Sequence, residues 1–483
     1  MSTEIENQVA QLLLNAQRAL GELPKEVLEL GEIFEKAGFE LALVGGPVRD
    51  AALGKVPHDF DFCTSARPEE TQKLLNTWGS TWDVGKEFGT IGATKNDIVV
   101  EVTTYRTEAY EVGSRKPQVA YGDDLEGDLT RRDFTVNAMA VRLPQMIWVD
   151  PHHGLEDLAE GILRTPVTAE QSFDDDPLRI MRAARFCAQL GFGVSEDVMA
   201  AMADQAERLK IVSAERIRAE LERLMISDYP VDGLELMVHT GVADQVLPEV
   251  SRLTGTVDEH KRHKDVYGHT LKVLQQAIDL ETDADGPCPG PDFILRFAAL
   301  MHDVGKPDTR AFEGNGLVTF HHHEIVGAKL TRKRMQALKF PKDTIKAVSK
   351  LVSLHLRFHG YGEQAWTDSA VRRYVNDAGD QLERLHRLTR ADVTTGNKRK
   401  AARLAHAYDD LEERIAQLRA QEELDAIRPD LDGEQIMKIL DLPPGPQVGQ
   451  ARAYLLERRL ERGPVEPEVA RAELLSWWDA LNH

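Results

Sequence analysis

The stretch PHDFDFCTS, from Pro57 to Ser65, alternates carboxylates with aromatics. Successive side chains on a β-strand point to opposite faces. Asp59 and Asp61 therefore share one face, and Phe60 and Phe62 share the other. The aromatics can anchor a core while the carboxylates stand side by side. Two like charges that close repel unless a cation lies between them. A polar strand edge facing water would show the same alternation, so the neighbouring segments must decide between the two.

Ten residues upstream runs ELALVGGPVRDAALG. Leu41 to Val44 reads as a buried strand. Gly45 and Gly46 allow a tight turn and close approach of a ligand to the backbone. Pro47 suits a first helical turn and Gly54 a helix stop. The free N–H groups of such a start favour an anion, usually phosphate, and Arg49 adds a cation one turn in. Downstream, IVVEVTTYR places Ile98, Val100 and Val102 on one strand face and Glu101 on the other with Val99 and Thr103. Asp59, Asp61 and Glu101 together make an oxygen-only set, which suits Mg²⁺ completed by substrate phosphates. Two such ions activate an attacking hydroxyl and stabilise a leaving pyrophosphate.

These motifs sit in a chain of 483 residues, long enough for about three domains. Glycine-punctuated β-rich runs extend from Glu40 to about Asp150, with one helix, PEETQKLLNTW, between them and a helical lead-in before them. Beyond 155 the apolar spacing is three and four, a helical period, as in PLRIMRAARFCAQLGF and SAERIRAELERLM. The acidic Pro- and Gly-rich stretch 279–292 reads as a mobile surface loop. AARLAHAYDDLEERIAQLRAQEEL reads as a long charged helix, DLPPGPQVGQ as a turn, and the end as a final helical segment. The expected fold class is α+β: an α/β head with a mixed sheet over 1–150, a helical neck over 151–250, a helical body over 251–400 and a helical tail over 401–483.

The formal charge is −21, which argues against a nucleic-acid partner. Local basic segments, KLTRKRMQALKFPK and NKRKAAR, keep that partner open. Cys63, Cys187 and Cys288 form no paired spacing, which fits a reducing compartment. No signal peptide or membrane span is visible, and a cytoplasmic location is expected.

The body is rich in histidine. His269 stands in VYGHTLKVL, His302 and Asp303 end FILRFAALMHD, His323 lies in FHHHEIVGA, His355 in LVSLHLRFHG and Asp392 in LTRADV. One such histidine is more often a core or surface residue. A series on successive helices is different.

LVGGPVRD, DFDFCT, EVTTYR and RRDFTVNAMA (131–140) resemble, in order and spacing, the head of the class II nucleotidyltransferases, which include bacterial CCA-adding enzymes and poly(A) polymerases. The resemblance implies that Asp59 and Asp61 are metal ligands and Glu101 the third carboxylate. It implies that Gly45, Gly46 and Arg49 contact the triphosphate, and that Arg132 and Asp133 sit near the ribose. EVGSRKPQVAYGDDLEGD would be the mobile loop used for the final A addition. DDDPLRIMRAARF resembles the family's base-selecting helix, with Asp175 where a glutamate is usual. Asp176 and Arg179, three apart, are expected on one helix face, reading the base; an intrahelical ion pair is the plainer alternative. Arg216 and Glu220 would brace the neck.

The His and Asp series resembles the HD phosphohydrolase superfamily. By that resemblance His269, His302, Asp303 and Asp392 hold a divalent metal, and His323 and His355 serve a second ion. Imidazole suits Mn²⁺ or Ni²⁺ better than Mg²⁺. The implied activity is addition of CCA to tRNA from CTP and ATP, with a possible phosphohydrolase in the body and tail contact with the tRNA elbow. A poly(A) polymerase, an enzyme adding only C or only A, and an HD hydrolase with an inert head are the alternatives.

Overall fold

The computed structural model describes residues 3–82, 89–109, 118–122, 124–257, 265–312, 318–358, 361, 366–421 and 427–482. The chain forms two compact units, Met1–Val246 and Leu247–His483.

In the first unit, strands β1 (Leu41–Val44), β2 (Phe60–Thr64), β3 (Ser80–Trp82), β4 (Thr90–Lys95) and β5 (Ile98–Thr104) precede a hairpin of β6 (Arg106–Ala109) and β7 (Gln118–Tyr121). Two more, β8 (Ala140–Leu143) and β9 (Ile147–Val149), complete a seven-stranded sheet of order β3-β4-β5-β2-β1-β8-β9. The β2–β5 pair is parallel and every other pair in this sheet is antiparallel, so the sheet is mixed. Residue pattern alone does not mark strands β3 and β8. Phe60 and Phe62 are buried beneath the sheet, as are Val100 and Val102. The helices Thr3–Leu20 and Lys25–Lys36 form the lead-in. The proposed mobile loop 111–128 lies partly outside the described residues; within it, Gln118–Tyr121 is strand β7, and Asp124 caps the helix Leu125–Thr130 through the Gly127 N–H.

The rest of this unit is helical. Ala169–Asp175 and Leu178–Leu190 are separate helices. Asp176 lies between them with extended backbone, φ −141° and ψ 101°. This corrects the expectation that Asp176 and Arg179 share one helix face. Proline disfavours the α region for the residue before it, so Pro177 holds Asp176 out of the helix. Helix Ala214–Met225 starts at the Ser213 cap, whose hydroxyl accepts from the Arg216 N–H.

In the second unit, helices Val266–Asp279, Phe293–Met301, His323–Ala337, Lys342–Leu354 and Leu382–Ala391 surround the histidine series. The acidic stretch 279–292 is not the free loop expected. Cys288 is buried there, Cys288 O accepts from the Thr282 N–H, and Glu281 pairs with Arg296 at 2.7 Å. A buried carboxylate with a bidentate guanidinium fixes one geometry. The long helix Lys398–Gln421 is as expected. The stretch DLPPGPQVGQ is only half turn, because Pro446 opens helix Pro446–Arg462. Proline is pre-organised for the first helical position. The tail packs its own core of Leu431, Ile436, Ala451, Leu455, Ala470 and Leu474.

Candidate active sites

In the head, Asp61 stands opposite Glu101 in the β2–β5 register. The neighbours Phe60↔Val100 and Phe62↔Val102 point into the core, so strand alternation alone forces both carboxylates onto the open face. Asp59 immediately precedes β2. Local desolvation first, then the Glu101 and Asp59 carboxylates, push Asp61 above the usual carboxylate range, and Arg132 opposes them. That crowding is what a cation relieves.

The Gly45 turn lies at the end of the neighbouring strand β1, with φ +74°. A Cβ at Gly45 would stand 3.2 Å from Arg132 Nη1. The turn and the RRDFT arginine are thus adjacent. Arg132 is anchored by Asp128, 3.1 Å away. Arg49 is buried, donating to Asp50 at 2.8 Å and to Asn137 Oδ1 at 2.7 Å. Asp133 is also buried, and Arg182 donates to it at 2.8 and 2.5 Å. Burial alone would raise Asp133, but Arg182 and the hydrogen bonds from Asn137 and the Phe134 N–H outweigh it and bring it down to about 2.

Asp176 and Arg179 do not pair with each other. Asp176 accepts from the Leu178 N–H at 3.1 Å and from Arg216 at 3.0 Å. Arg179 donates to Ser172 Oγ at 2.9 Å and to Arg131 O at 2.5 Å. Glu220 takes Arg185 at 2.5 Å. Asp175 accepts from Gln171 at 2.6 Å.

In the second unit, the six predicted side chains converge. His269, His302 and Asp392 form one group and Asp303, His323 and His355 another, each with its ligand atoms within 4.8 Å of one another. Asp303 lies between them: Oδ2 is 3.2 Å from His302 Nε2 and Oδ1 is 3.3 Å from His323 Nε2. The Nδ1 atoms of His302, His323 and His355 lie 2.8, 2.8 and 2.7 Å from the carbonyl oxygens of Ala299, Phe320 and Val352. A carbonyl only accepts, so each Nδ1 carries a hydrogen and each Nε2 is left to face the centre. That is the arrangement of histidines that bind metals. His355 Nε2 is buried with no hydrogen-bond partner among the described residues. Burial and the neighbouring His302 push His355 down to about 3, which keeps it neutral. The donor set fits a divalent ion. Gly305 makes the close approach possible, since a Cβ there would lie 2.1 Å from His323 O.

Three family profiles match the chain: "Poly A polymerase head domain" over 41–164, "Probable RNA and SrmB- binding site of polymerase A" over 191–253, and "HD domain" over 266–397. The A-adding tRNA nucleotidyltransferase of Deinococcus radiodurans is 34% identical over 90% of this chain and 95% of the relative. The chain belongs to the tRNA nucleotidyltransferase family. The CC-adding tRNA nucleotidyltransferase of Thermus thermophilus is 31% identical over 90% of this chain and 93% of the relative. The CCA-adding enzyme of Streptococcus thermophilus is 30% identical over 94% and 96%. Among solved structures, the CCA-adding enzyme of Bacillus stearothermophilus in complex with CTP matches with a TM-score of 0.67 at 24% identity, over 95% of this chain and 98% of that one. The Thermotoga maritima CCA-adding enzyme complexed with tRNA matches with a TM-score of 0.60 at 18% identity, over 96% and 98%. At that identity the likeness shows the fold.

This nucleotidyltransferase carries site residues that motif reading missed. Asn137 and Arg182 complete the environment of Arg49 and Asp133. Lys306 places Nζ 2.8 Å from Asp303 Oδ2. Its position four residues after His302, in HDVGK, was the available signal. Among the described residues no helix is long and apolar enough to cross a membrane.

Proposed function

We propose that this nucleotidyltransferase adds C, C and A to the 3′ end of tRNA from CTP and ATP. The observation that carries the reading is the register of Asp61 opposite Glu101 on the open face of the β2–β5 pair, beside the Gly45 turn. Asp59, Asp61 and Glu101 would hold Mg²⁺, which would supply activation of the tRNA 3′-hydroxyl and stabilisation of the leaving pyrophosphate. Gly45 and Gly46 let the triphosphate approach the backbone, and Arg132 presents its charge beside that turn. Arg49 fixes the helix that follows the turn. The turn that carries Arg132 and the buried Asp133 lies on the sugar side of the site.

Asp176 and Arg179 read the base. Cytosine and adenine both carry an exocyclic amino donor beside a ring-nitrogen acceptor. The Asp176 carboxylate accepts from the first and the Arg179 guanidinium donates to the second. Uracil and guanine present the reverse pattern, at a cost on the order of 1–3 kcal/mol for the groups left unpaired.

The HD centre is a separate phosphohydrolase. His269, His302, Asp303, His323, His355 and Asp392 would hold Mn²⁺ or Ni²⁺, which would supply Lewis-acid chemistry for phosphoester hydrolysis. A cytoplasmic setting agrees with three free, buried cysteines.

A second reading, addition of A alone, rests on the A-adding relative, at 34% identity against 31% and 30% for the CC-adding and CCA-adding relatives matched over 90% or more of this chain; CCA-adding relatives matched over about half of it reach 43%. One assay separates them: purified protein, tRNA lacking CCA or ending in CC, and each labelled nucleotide alone and together. C incorporation on the first substrate followed by A supports CCA addition. A incorporation confined to tRNA ending in CC supports the second reading.

A further inference from the structure

The four histidines of the HD centre are not held alike. In His302, His323 and His355, Nδ1 meets the carbonyl of the residue three positions earlier. Those restraints are local, since each comes from the histidine's own turn of chain. His269 is held from far away in sequence. Its Nδ1 lies 3.2 Å from Thr394 Oγ1, 125 residues on. Its Nε2 lies 3.0 Å from Asp392 Oδ1. Both contacts come from one short segment at the end of helix Leu382–Ala391.

That segment is pinned to the helix that carries His269. Gln276 lies in the same helix, Val266–Asp279, about two turns beyond His269. Its Nε2 donates to Ala391 O at 2.5 Å and to Val393 O at 3.2 Å, the carbonyls on either side of Asp392. Asp392 and Thr394 therefore reach His269 together, from a segment clamped at two points. A histidine that binds a cation through Nε2 carries its ring hydrogen on Nδ1, and that N–H needs an acceptor. A hydroxyl both donates and accepts, so Thr394 Oγ1 can receive it. His269 is buried, so an apolar side chain in place of Thr394 would leave that N–H facing a methyl group, at a cost.

We propose that Thr394 is a positioning residue for the HD centre: through Nδ1 it aims His269 at the ion of the His269, His302 and Asp392 group. This rests on the reading of the HD centre as a metal-dependent hydrolase. The group of Asp303, His323 and His355 takes the orientation of its imidazoles from local carbonyls instead. The two ions thus depend on different parts of the chain, and only the first depends on the 391–394 segment. A residue that merely supported the fold would weaken both ions alike.

The test titrates full-length, chelator-stripped protein with Mn²⁺ and counts the free ion by electron paramagnetic resonance. Wild type, Thr394→Val and Thr394→Ser are compared. Uptake that persists in the His302→Ala, Asp303→Ala double variant belongs to the head and is subtracted. In Thr394→Val the affinity for one ion should fall roughly ten- to hundredfold, with the other within about twofold of wild type. Thr394→Ser, which keeps the hydroxyl, should recover most of the loss. A folded Thr394→Val that leaves every affinity unchanged, or weakens both ions equally, overturns the proposal, as does a loss that Thr394→Ser shares in full. If Thr394→Val does not fold, Thr394→Ala set against Thr394→Ser carries the same comparison. A wild type that binds no more Mn²⁺ than the double variant defeats the metal-centre reading itself, and the proposal with it; a metal-binding wild type with an unmoved Thr394→Val defeats the proposal alone.

Discussion

The two candidate centres of this chain are built in opposite ways. In the head, Asp61 and Glu101 stand exposed on adjacent strands, oxygen donors only, put side by side by the pleat of the sheet. In the HD centre, His302, His355 and Asp303 are 0, 1 and 2% exposed, and backbone carbonyls orient three imidazoles. The first is a platform that substrate phosphates complete, as hard-cation sites are. The second is a cage assembled before anything binds. Openness suits a site through which nucleotides and an RNA end must pass; enclosure suits one that retains its ion.

The largest expected effect is on the platform. Asp61→Ala should lower both C and A addition on the order of a thousandfold or more, while tRNA retention on a filter stays within a few-fold. Substantial residual C addition by a folded variant breaks the single-platform account. Next, chelated protein given Mn²⁺ or Ni²⁺ at about 100 times its Kd should gain about 2.7 kcal/mol in the unfolding transition of the HD unit. Calorimetry should show that gain vanish in His302→Ala with Asp303→Ala. An equal gain with Mg²⁺ would erase the chemical distinction between the centres.

The reach of sequence reasoning divides along the same line. The head carboxylates were legible because a period of two fixes faces without knowledge of the fold, as Phe60 and Asp61 show. The HD series and its division between two ions were legible through its motif resemblance, but the grouping of Asp303 with His323 and His355 rather than with His269, His302 and Asp392 alone was not, since that depends on how five helices pack. Asp176 was misplaced onto a helix face because a period of three and four was carried across Pro177. Arg182 was invisible as a partner of Asp133: 49 residues separate them, and nothing local in either segment signals the other.

A smaller effect concerns the buried Asp133. Its carboxyl is at about 2 when folded and about 3.9 when unfolded. A depressed value stabilises the fold above the unfolded pKa, and that stabilisation is lost as pH falls toward 2. The amount is about 2–3 kcal/mol. Denaturant unfolding of the wild type and Asp133→Asn should therefore converge as pH drops from 5 to 2. A constant gap over that interval contradicts the assignment. The smallest effect is at Asp61, whose raised value has the other sign. Its ionised form costs stability above the folded pKa, and the cost disappears below the unfolded one. Asp61→Asn should raise Tm by about 1–2 °C in metal-free buffer at pH 7 and lose that advantage when Mg²⁺ is added. A lower Tm without metal would show that the carboxylates are not in repulsion.

The independence of platform and cage is tested most directly by one measurement: labelled CTP and ATP incorporation into tRNA lacking CCA by the His302→Ala, Asp303→Ala double variant, with phosphoester hydrolysis followed on the same preparation. The account predicts that hydrolysis is abolished and that nucleotide addition stays within a few-fold of wild type. A folded double variant that binds tRNA but no longer adds nucleotides would contradict it.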